Sequence, residues 1–320
     1  MSEKTKSIRE GVSGPQGEQV WHGIFPIVQL PWDSDENIDY PVLKREIDWL
    51  LSEGCHGLAV GMVTEAHRLT DVERDQLNEK LVEYAANRVP VVASVGAESS
   101  RQACRHTRAA ESAGASGVMA IPPALTRCSP EELLNYYTRI LDATSLPVIV
   151  QDASGYLGNP IPLETQARIF EIDPSRVMFK PEAQPIGQNL SRLRALVGPA
   201  AIIFEGTGGL TLVDTYRRGI QGSMPAADLP WVHVALWKAL ESGDTERTNA
   251  FHALLCSLIS LMPTLDAFLC IEKYLLVKQG IFPTGQLRGP VGFKLDDPLR
   301  QEVDRLFDLL HTAVYETWKI

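Results

Sequence analysis

Lys180 and Glu182 are the residues whose types and spacing best fit a chemical reaction. Lys180 follows the apolar residues 177–179, and Pro181 after it favours extended backbone. Side chains alternate along a strand, so Lys180 and Glu182 would point to the same face. Desolvation at a strand end can bring the pKa of an amine towards neutrality, and a neutral amine can attack a carbonyl. The alternatives are a lysine that reaches solvent and a glutamate that only pairs with it or caps the next helix.

The elements that must position this pair alternate between apolar strands and amphipathic helices. The predicted strands are 24–30, 57–61, 89–95, 117–121, 147–151, 177–180, 201–205 and 222–224. The predicted helices between them are 39–53, 71–87, 101–113, 131–143, 163–172, 187–196 and 210–218. Near-continuous apolar strands that alternate with helices are typical of a parallel sheet covered on both faces. Eight such units favour a (β/α)₈ TIM barrel, with its chemistry at the carboxyl ends of the strands.

The pattern changes to helices alone after Pro230. Helical segments are predicted over 231–241, along the apolar stretch 245–278 and over 298–317. We therefore predict a loosely ordered arm at 1–20, a barrel at 21–228, and a C-terminal helical appendage at 229–320 that packs on the barrel.

Composition excludes several classes of protein. The chain has 320 residues, 44% hydrophobic and 22% charged, enough to bury a sizeable core. Its net charge of −10 weighs against nucleic acid or an anionic membrane as a partner. The polar start of the sequence does not resemble a signal peptide, and the longest apolar stretch, 253–262, is too short to cross a bilayer. We expect a cytoplasmic protein.

The cysteines and histidines predict no metal centre. Five widely spaced cysteines without a CxxC pair indicate reduced thiols and no disulfide framework. No two histidines have the spacing of metal ligands such as HxH or HExxH. We expect no metal at the site.

Five segments resemble the dihydrodipicolinate synthase / N-acetylneuraminate lyase family of class I, Schiff-base aldolases. They are GMVTEAHRLTDVER (61–74), VPVVASVGAES (89–99), LPVIVQDASGYLG (146–158), FKPEA (179–183) and KYLLVKQGIFPTGQLRGPV (273–291). The resemblance implies a 2-keto acid substrate, a Schiff base on Lys180 in place of any external cofactor, and a homo-oligomer, either a tetramer or a dimer. It spans residues 23–310.

The sequence departs from the synthase branch at the positions of its proton relay. Met62 and Val63 stand at two threonines, Ala124 and Leu125 at paired tyrosines, Gln151 at the strand-five tyrosine, and Tyr156 at the arginine that binds the second substrate. All the relay hydroxyl groups at these positions are missing. A dihydrodipicolinate synthase activity is therefore disfavoured.

The remaining motifs resemble the 2-keto-3-deoxy sugar-acid dehydratases, such as L-2-keto-3-deoxyarabonate dehydratases. Thr64 precedes Glu65 after strand two, Gln151 and Asp152 end strand five, and a Lys-x-Glu lies at 180–182. In the family the residue equivalent to Glu65 supports the turn. The resemblance thus implies dehydration rather than aldol chemistry.

A Lys180 iminium would make the C3 protons of a 2-keto acid acidic. Dehydration then needs a base at C3 and an acid at the C4 hydroxyl, and Glu182 could serve as both. Aldol cleavage needs a base on the C4 hydroxyl, whereas Gln151 cannot take up a proton. For the substrate carboxylate we expect a nest of backbone N–H groups around Val63 and Thr64, with the Thr64 hydroxyl. A turn-stabilising role for that hydroxyl is the alternative.

The remaining pocket residues are expected at other strand ends. The substrate-binding set is Met62, Val63, Asp152, Tyr156, Gly206 and Met224. Gly206 begins a GTGG loop that lacks the features of a phosphate loop, so we interpret it as a pocket wall beside the sugar tail. His67 is expected at the surface or a subunit contact, with a catalytic part left open.

Three functions therefore stay open at the level of sequence. The first is a Schiff-base lyase that dehydrates a 2-keto-3-deoxy sugar acid. The second is a pyruvate-dependent aldolase or a condensation of the dihydrodipicolinate synthase type. The third is a barrel that binds a keto acid without catalysis, although the intact pair of Lys180 and Glu182 argues against it.

Overall fold

Eight short parallel strands form the centre of the computed structural model, which describes residues 21–317. In chain order they are β1 Gly23–Ile24, β2 Leu58–Ala59, β3 Val91–Ser94, β4 Gly117–Ala120, β5 Val148–Asp152, β6 Val177–Pro181, β7 Phe204–Glu205 and β8 Gly222–Ser223. Every predicted strand contains or overlaps one of them. The predicted arm at 1–20 lies outside the described residues.

The strands close into a barrel. β2 to β6 pair in sequence order, and β1 and β7 pair on either side of β8, all in parallel. Two single bridges join these groups, Ile27 with Ala59 and Phe179 with Ile203. The prediction of a (β/α)₈ barrel is confirmed.

Alternation along the strands separates the barrel interior from the helix-covered surface. Apolar side chains from successive strands fill the interior: Phe25, Ala59, Val92, Met119, Ile149, Met178, Phe204 and Met224. Their sequence neighbours, such as Val177 and Phe179 on β6, belong instead to the large core beneath the helices. Residues at even positions of β6 therefore point inward, and Lys180 continues that row.

Helices follow the strands around the outside. They are α1 Tyr40–Ser52, α2 Asp71–Ala85, α3 Ser100–Ser112, α4 Pro130–Asp142, α5 Leu163–Ile172, α6 Ile186–Val197, α7 Leu212–Arg217, α8 Pro230–Ser242, α9 Thr245–Ile259, α10 Leu265–Lys278 and α11 Asp297–Thr312. Side-chain caps fix several starts: Thr70 and Glu73 form a capping box on α2, and Ser99 and Ser129 cap α3 and α4.

Several predicted strands are shorter in the structure, and two of them have a local reason. In the predicted strand 24–30 only Gly23–Ile24 is a continuous strand, because Pro26 has no N–H for the ladder. In the predicted strand 201–205, Ile203 donates its N–H to the side-chain oxygen of Gln221 at 2.9 Å instead of to a neighbouring strand.

The C-terminal helices differ from the sequence pattern at two points. The apolar stretch 245–278 is two helices, α9 and α10, because Pro263 lies between them. α8 follows β8 and contacts β1, and its Trp237 packs edge-on against His22 and Tyr216. It thus occupies the place of the eighth barrel helix, and we propose that the appendage begins after Ser242 rather than at 229.

Candidate active site

Lys180 and Glu182 meet at the carboxyl end of β6. Lys180 Nζ lies 3.0 Å from Glu182 Oε1, and the two residues are only 3% and 1% exposed. Both side chains continue the inward row that contains Met178. Lys180 therefore does not extend to solvent, and the pair is enclosed at the top of the barrel.

Gln151 holds the other side of the same carboxyl group. The register of β5 and β6 places Gln151 beside Lys180, and Gln151 Nε2 donates to Glu182 Oε2 at 2.7 Å. An amide of this kind donates and accepts hydrogen bonds but does not take up a proton. Gln151 thus orients the Glu182 carboxyl but cannot itself take up a proton.

The surroundings of Glu182 determine how readily its carboxyl group binds a proton. Burial raises the pKa of its carboxyl above the ordinary value, and the Lys180 charge and the Gln151 hydrogen bond partly offset this. A raised pKa brings the carboxylate closer to accepting the proton of the neighbouring ammonium. Proton transfer across the 3.0 Å contact would leave a neutral amine, which is a nucleophile, beside a carboxylic acid.

Gly206 is packed directly against the pair. A Cβ atom at this position would lie 2.6 Å from both Glu182 Oε1 and Lys180 Cε. Side chains of any other type would therefore displace one of the two. The predicted pocket wall at Gly206 therefore packs against Lys180 and Glu182 themselves.

Glu205 fixes the loop that carries Gly206. Its Oε1 accepts hydrogen bonds from the Thr207 N–H at 2.9 Å and from the Thr207 hydroxyl. Its Oε2 accepts from Ser223 Oγ at 2.6 Å, which ties the loop to β8. The carboxylate is buried and fully engaged, so we assign it a structural role in this loop.

A cleft of roughly 450 Å³, including its open mouth, surrounds these groups. Its lining residues are Ile27, Gly61, Met62, Val63, Gln151, Tyr156, Lys180, Glu182, Gly206, Gly208, Met224, Ala226, Leu265, Phe268 and Glu272. The ionisable side chains with a basic or carboxyl group among them are Lys180, Glu182 and Glu272, and no arginine of the described residues 21–317 lines the cleft. This lining therefore offers one cation, which is paired with Glu182.

The sequence was compared with family models and with known proteins. Residues 20–308 match the model of the dihydrodipicolinate synthetase family. The chain belongs to this family. It is therefore a lyase of a family whose members bind small keto acids through a lysine Schiff base without an external cofactor and are commonly oligomeric.

Individual relatives differ in the reactions that their names state. A 4-hydroxy-tetrahydrodipicolinate synthase of Methanospirillum hungatei is 27% identical over 91% of this chain and 99% of its own length. An L-2-keto-3-deoxyarabonate dehydratase of Azospirillum brasilense is 30% identical over 65% of this chain and 69% of its own length. The solved structure of a dihydrodipicolinate synthase from Rhodopseudomonas palustris is 27% identical, with a TM-score of 0.83, over 90% of this chain and 97% of that one.

Two of the predicted site residues do not line the cleft. Thr64 lies within the turn after β2, where its hydroxyl oxygen accepts from the Gly61 N–H at 3.0 Å and its own N–H donates to the Gly61 oxygen at 3.2 Å. Asp152 accepts from the N–H groups of Ser154 at 3.1 Å and Ile161 at 2.9 Å. Both side chains shape the backbone next to the cleft.

The other predicted residues are brought together as expected from the barrel. Met62, Val63, Tyr156 and Met224 line the same cleft as the lysine. The phenol of Tyr156 is kept protonated, because burial raises its pKa and nearby carboxylates add to that effect. His67 is exposed, outside the cleft lining.

Residues of α10 complete the cleft, although none of them was predicted from the sequence. Leu265, Phe268 and Glu272 line it from the C-terminal helices, and Phe268 packs edge-on against Tyr156 at 5.9 Å between ring centres. One signal was available, since Glu272 and Lys273 interrupt an otherwise apolar helix. Such a charged pair in a buried helix indicates a specific partner or site.

Neither a metal-ligand cluster nor a membrane-spanning helix lies within residues 21–317. No group of three or more potential metal ligands occurs there. None of the helices described is long and apolar enough to cross a membrane.

Proposed function

We propose that this protein dehydrates a 2-keto-3-deoxy sugar acid through an iminium on Lys180, with Glu182 as the acid and base. The observation that carries the proposal is the position of the Glu182 carboxyl, 3.0 Å from the Lys180 amine and 2.7 Å from the Gln151 amide. An amide, rather than a phenol, faces the carboxyl from β5. This arrangement supplies one proton-transfer group beside the nucleophile, and that is what an elimination at C3 and C4 requires.

Formation of the iminium uses the proton shared by the pair. Once the ammonium proton has passed to Glu182, the Lys180 amine attacks the C2 carbonyl of the substrate. Glu182 returns a proton to the oxygen of the carbinolamine, which leaves as water. The product of this step is a protonated Schiff base next to a carboxylate.

Elimination follows at the same carboxyl group. The Glu182 carboxylate removes a proton from C3, and the iminium accepts the electron pair to give an enamine. The protonated Glu182 then donates to the C4 hydroxyl, which leaves as a second water. Hydrolysis frees Lys180 and returns the first water, so the substrate loses one water in total. Transfer of a proton from C5 to C3 of the resulting C3–C4 alkene then gives the enol of the semialdehyde, which converts to the aldehyde.

The substrate carboxylate is proposed to bind at the turn after β2. Met62 and Val63 of this turn line the cleft, and the hydrogen bond from Gly61 to Thr64 Oγ1 does not use the Thr64 hydroxyl proton. Backbone N–H groups in such turns form concave anion sites. The L-2-keto-3-deoxyarabonate dehydratase of Azospirillum brasilense, a relative at 30% identity, supports a sugar acid as the substrate class.

Borohydride trapping tests the Schiff base. Reduction in the presence of pyruvate or a 2-keto-3-deoxypentonate should add the mass of the reduced acid to the peptide that contains Lys180. Peptide mass spectrometry of the native protein and of a Lys180→Arg variant measures this, and the variant should remain unmodified. Absence of an adduct with every keto acid would refute the proposal.

A pyruvate-dependent aldolase or a synthase-type condensation is the second candidate, favoured by relatives named as synthases. Product analysis separates it from dehydration. A 2-keto-3-deoxypentonate should yield a semialdehyde without pyruvate, whereas release of pyruvate would favour carbon–carbon cleavage. An adduct on Lys180 that never turns over any of these acids would instead favour a binding protein.

A further inference from the structure

A second carboxyl group, that of Glu272, lines the cleft that contains Lys180. It comes from α10, outside the strands, and is 2% exposed. Gln29 Nε2 donates to Glu272 Oε2 at 2.5 Å. Neither Glu272 nor Gln29 has a part in the reaction proposed above.

Further acids lie behind Glu272. Asp228 and Glu272 line a smaller cavity that shares Gly208, Ala226 and Phe268 with the main cleft. Glu46 accepts from the backbone N–H of Gln29 at 2.9 Å. Glu46 and Glu272 are therefore both hydrogen-bonded to Gln29, and Asp228 shares the smaller cavity with Glu272.

Lys273 compensates these acids only in part, because its charge lowers the pKa of Glu46 and Glu272 less than burial raises it. Lys273 is the neighbouring cation, and its Nζ is held 2.5 Å from Glu65. Within residues 21–317 the Oε1 of Gln29 and the Oε2 of Glu46 have no hydrogen-bond partner, although both residues are fully buried. Unpaired buried carboxylates are costly, and such groups usually retain a proton instead.

Burial shifts the pKa values of all three carboxyl groups in the direction that favours the protonated form. Burial raises the pKa of Glu46 to about 8 and that of Asp228 to about 7. Burial, followed by the charge of Asp228, raises the pKa of Glu272 well above its ordinary value. A protonated Glu272 can donate one hydrogen bond and accept others within the cleft.

We propose that Glu272 is a specificity-determining residue that selects 2-keto acids with hydroxyl groups at the far end and excludes those with a second carboxylate. The inference rests on the proposed function and names the substrate class of the same site. A hydroxyl group can both accept from and donate to Glu272, whereas a second carboxylate would be buried without a cation to pair with it. Among the described residues that line the cleft, Lys180 is the one cation, and it is already paired with Glu182.

Trapping with three keto acids tests this selection. The probes are pyruvate, which has no tail, 2-keto-3-deoxyarabonate, and 2-oxoglutarate, which has the same carbon number and a carboxylate at C5. The measured quantity is the concentration of each acid that gives half-maximal borohydride modification of the Lys180 peptide. For the native protein we expect that concentration to be about tenfold or more lower for the pentonate than for 2-oxoglutarate.

Two variants isolate the hydrogen bonds of Glu272. Glu272→Leu removes them and should weaken pentonate trapping about three- to tenfold relative to pyruvate. Glu272→Gln retains a donor and an acceptor and should keep most of the preference for the pentonate. Both variants should still give a pyruvate adduct, which shows that each is folded and that Lys180 is reactive, and pentonate trapping is expressed relative to it.

The outcomes distinguish this inference from the proposed function. Equal trapping of 2-oxoglutarate and the pentonate by the native protein overturns the role of Glu272, while the pyruvate adduct leaves the Schiff base intact. Unchanged selectivity in Glu272→Leu also overturns it. If Glu272→Leu fails to fold, Glu272→Gln carries the test. Loss of its preference for the pentonate would then overturn the role of Glu272. Absence of any adduct, including pyruvate, overturns both proposals.

Discussion

Glu182 is the residue on which the proposed chemistry depends most. It contacts the Lys180 amine and the Gln151 amide with its two oxygens, and burial raises the pKa of its carboxyl. Replacement of the Glu182 carboxylate should not prevent the Lys180 amine from attacking a keto acid, because solvent can also remove the ammonium proton. The Schiff base and the elimination are therefore separable at this one residue.

Glu182→Gln should form the pyruvate adduct yet lose turnover of a 2-keto-3-deoxypentonate by about 100-fold or more, since proton transfer by a positioned side chain contributes on the order of 10²–10⁴. Borohydride trapping and steady-state product release measure the two effects. Glu171→Gln, on the exposed face of α5, is the control and should behave like the native protein. Normal turnover in Glu182→Gln would remove this glutamate from the mechanism.

At the scale of elements, the loop after β7 packs directly against Lys180 and Glu182. Gly208 and Gly209 adopt positive φ values of 65° and 92°, which glycine reaches without strain. Gly206 is required for a different reason. A Cβ atom at this position would lie 2.6 Å from Lys180 Cε, so there is no room for a larger side chain. The loop therefore holds the amine and the carboxyl in place.

Gly206→Ala should lower turnover about 10- to 100-fold, because the added methyl group must displace Lys180 or Glu182 from their 3.0 Å contact. The matched control is Gly285→Ala, whose Cβ would have its nearest neighbours 4.0 Å away. Turnover and borohydride trapping of both variants give the comparison. Equal rates in the two would show that close packing at residue 206 is not needed.

At the scale of the whole molecule, Glu65 joins the barrel to the C-terminal helices. Its Oε1 accepts from Trp32 Nε1 at 2.8 Å and from Lys273 Nζ at 2.5 Å. Its Oε2 accepts from Arg68 Nη1 at 3.0 Å and from the backbone N–H of Arg288 at 3.2 Å. The structural role expected for Glu65 thus extends beyond the turn after β2.

Glu65→Gln should lower the free energy of unfolding by about 3–5 kcal/mol, because it leaves the fully buried Lys273 without its counter-charge. Glu83→Gln removes an exposed pair with Lys80 and should leave the free energy of unfolding nearly unchanged. Denaturant unfolding of both variants provides the measurement. A cost for Glu65→Gln as small as for Glu83→Gln would contradict the assignment of Glu65 as the link to α10.

Assembly is also a property of the whole molecule. The tetramer or dimer expected from the sequence stays a prediction for this chain, although oligomers are common in its family. Size-exclusion chromatography with light scattering would measure the state directly.

Local sequence determined much of this protein. The eight strand-and-helix units follow from apolar periodicity, and the common face of Lys180 and Glu182 follows from alternation along one strand. The position of Gln151 beside Lys180 was also accessible, because both residues end neighbouring strands of a parallel barrel. Each of these inferences needs only short-range geometry and the rule that places active sites at the carboxyl ends of the strands.

Tertiary structure alone decided which other groups meet that pair. Glu272 and Phe268 reach the cleft from a helix that begins more than 80 residues after β6, and Gly206 contacts Lys180 across a separate strand end. Thr64 and Asp152 stand at the expected positions, yet their side-chain oxygens accept hydrogen bonds from backbone N–H groups nearby. Periodicity specifies the face of an element, whereas the direction of a side chain at a turn and the docking of a distant helix depend on three-dimensional packing.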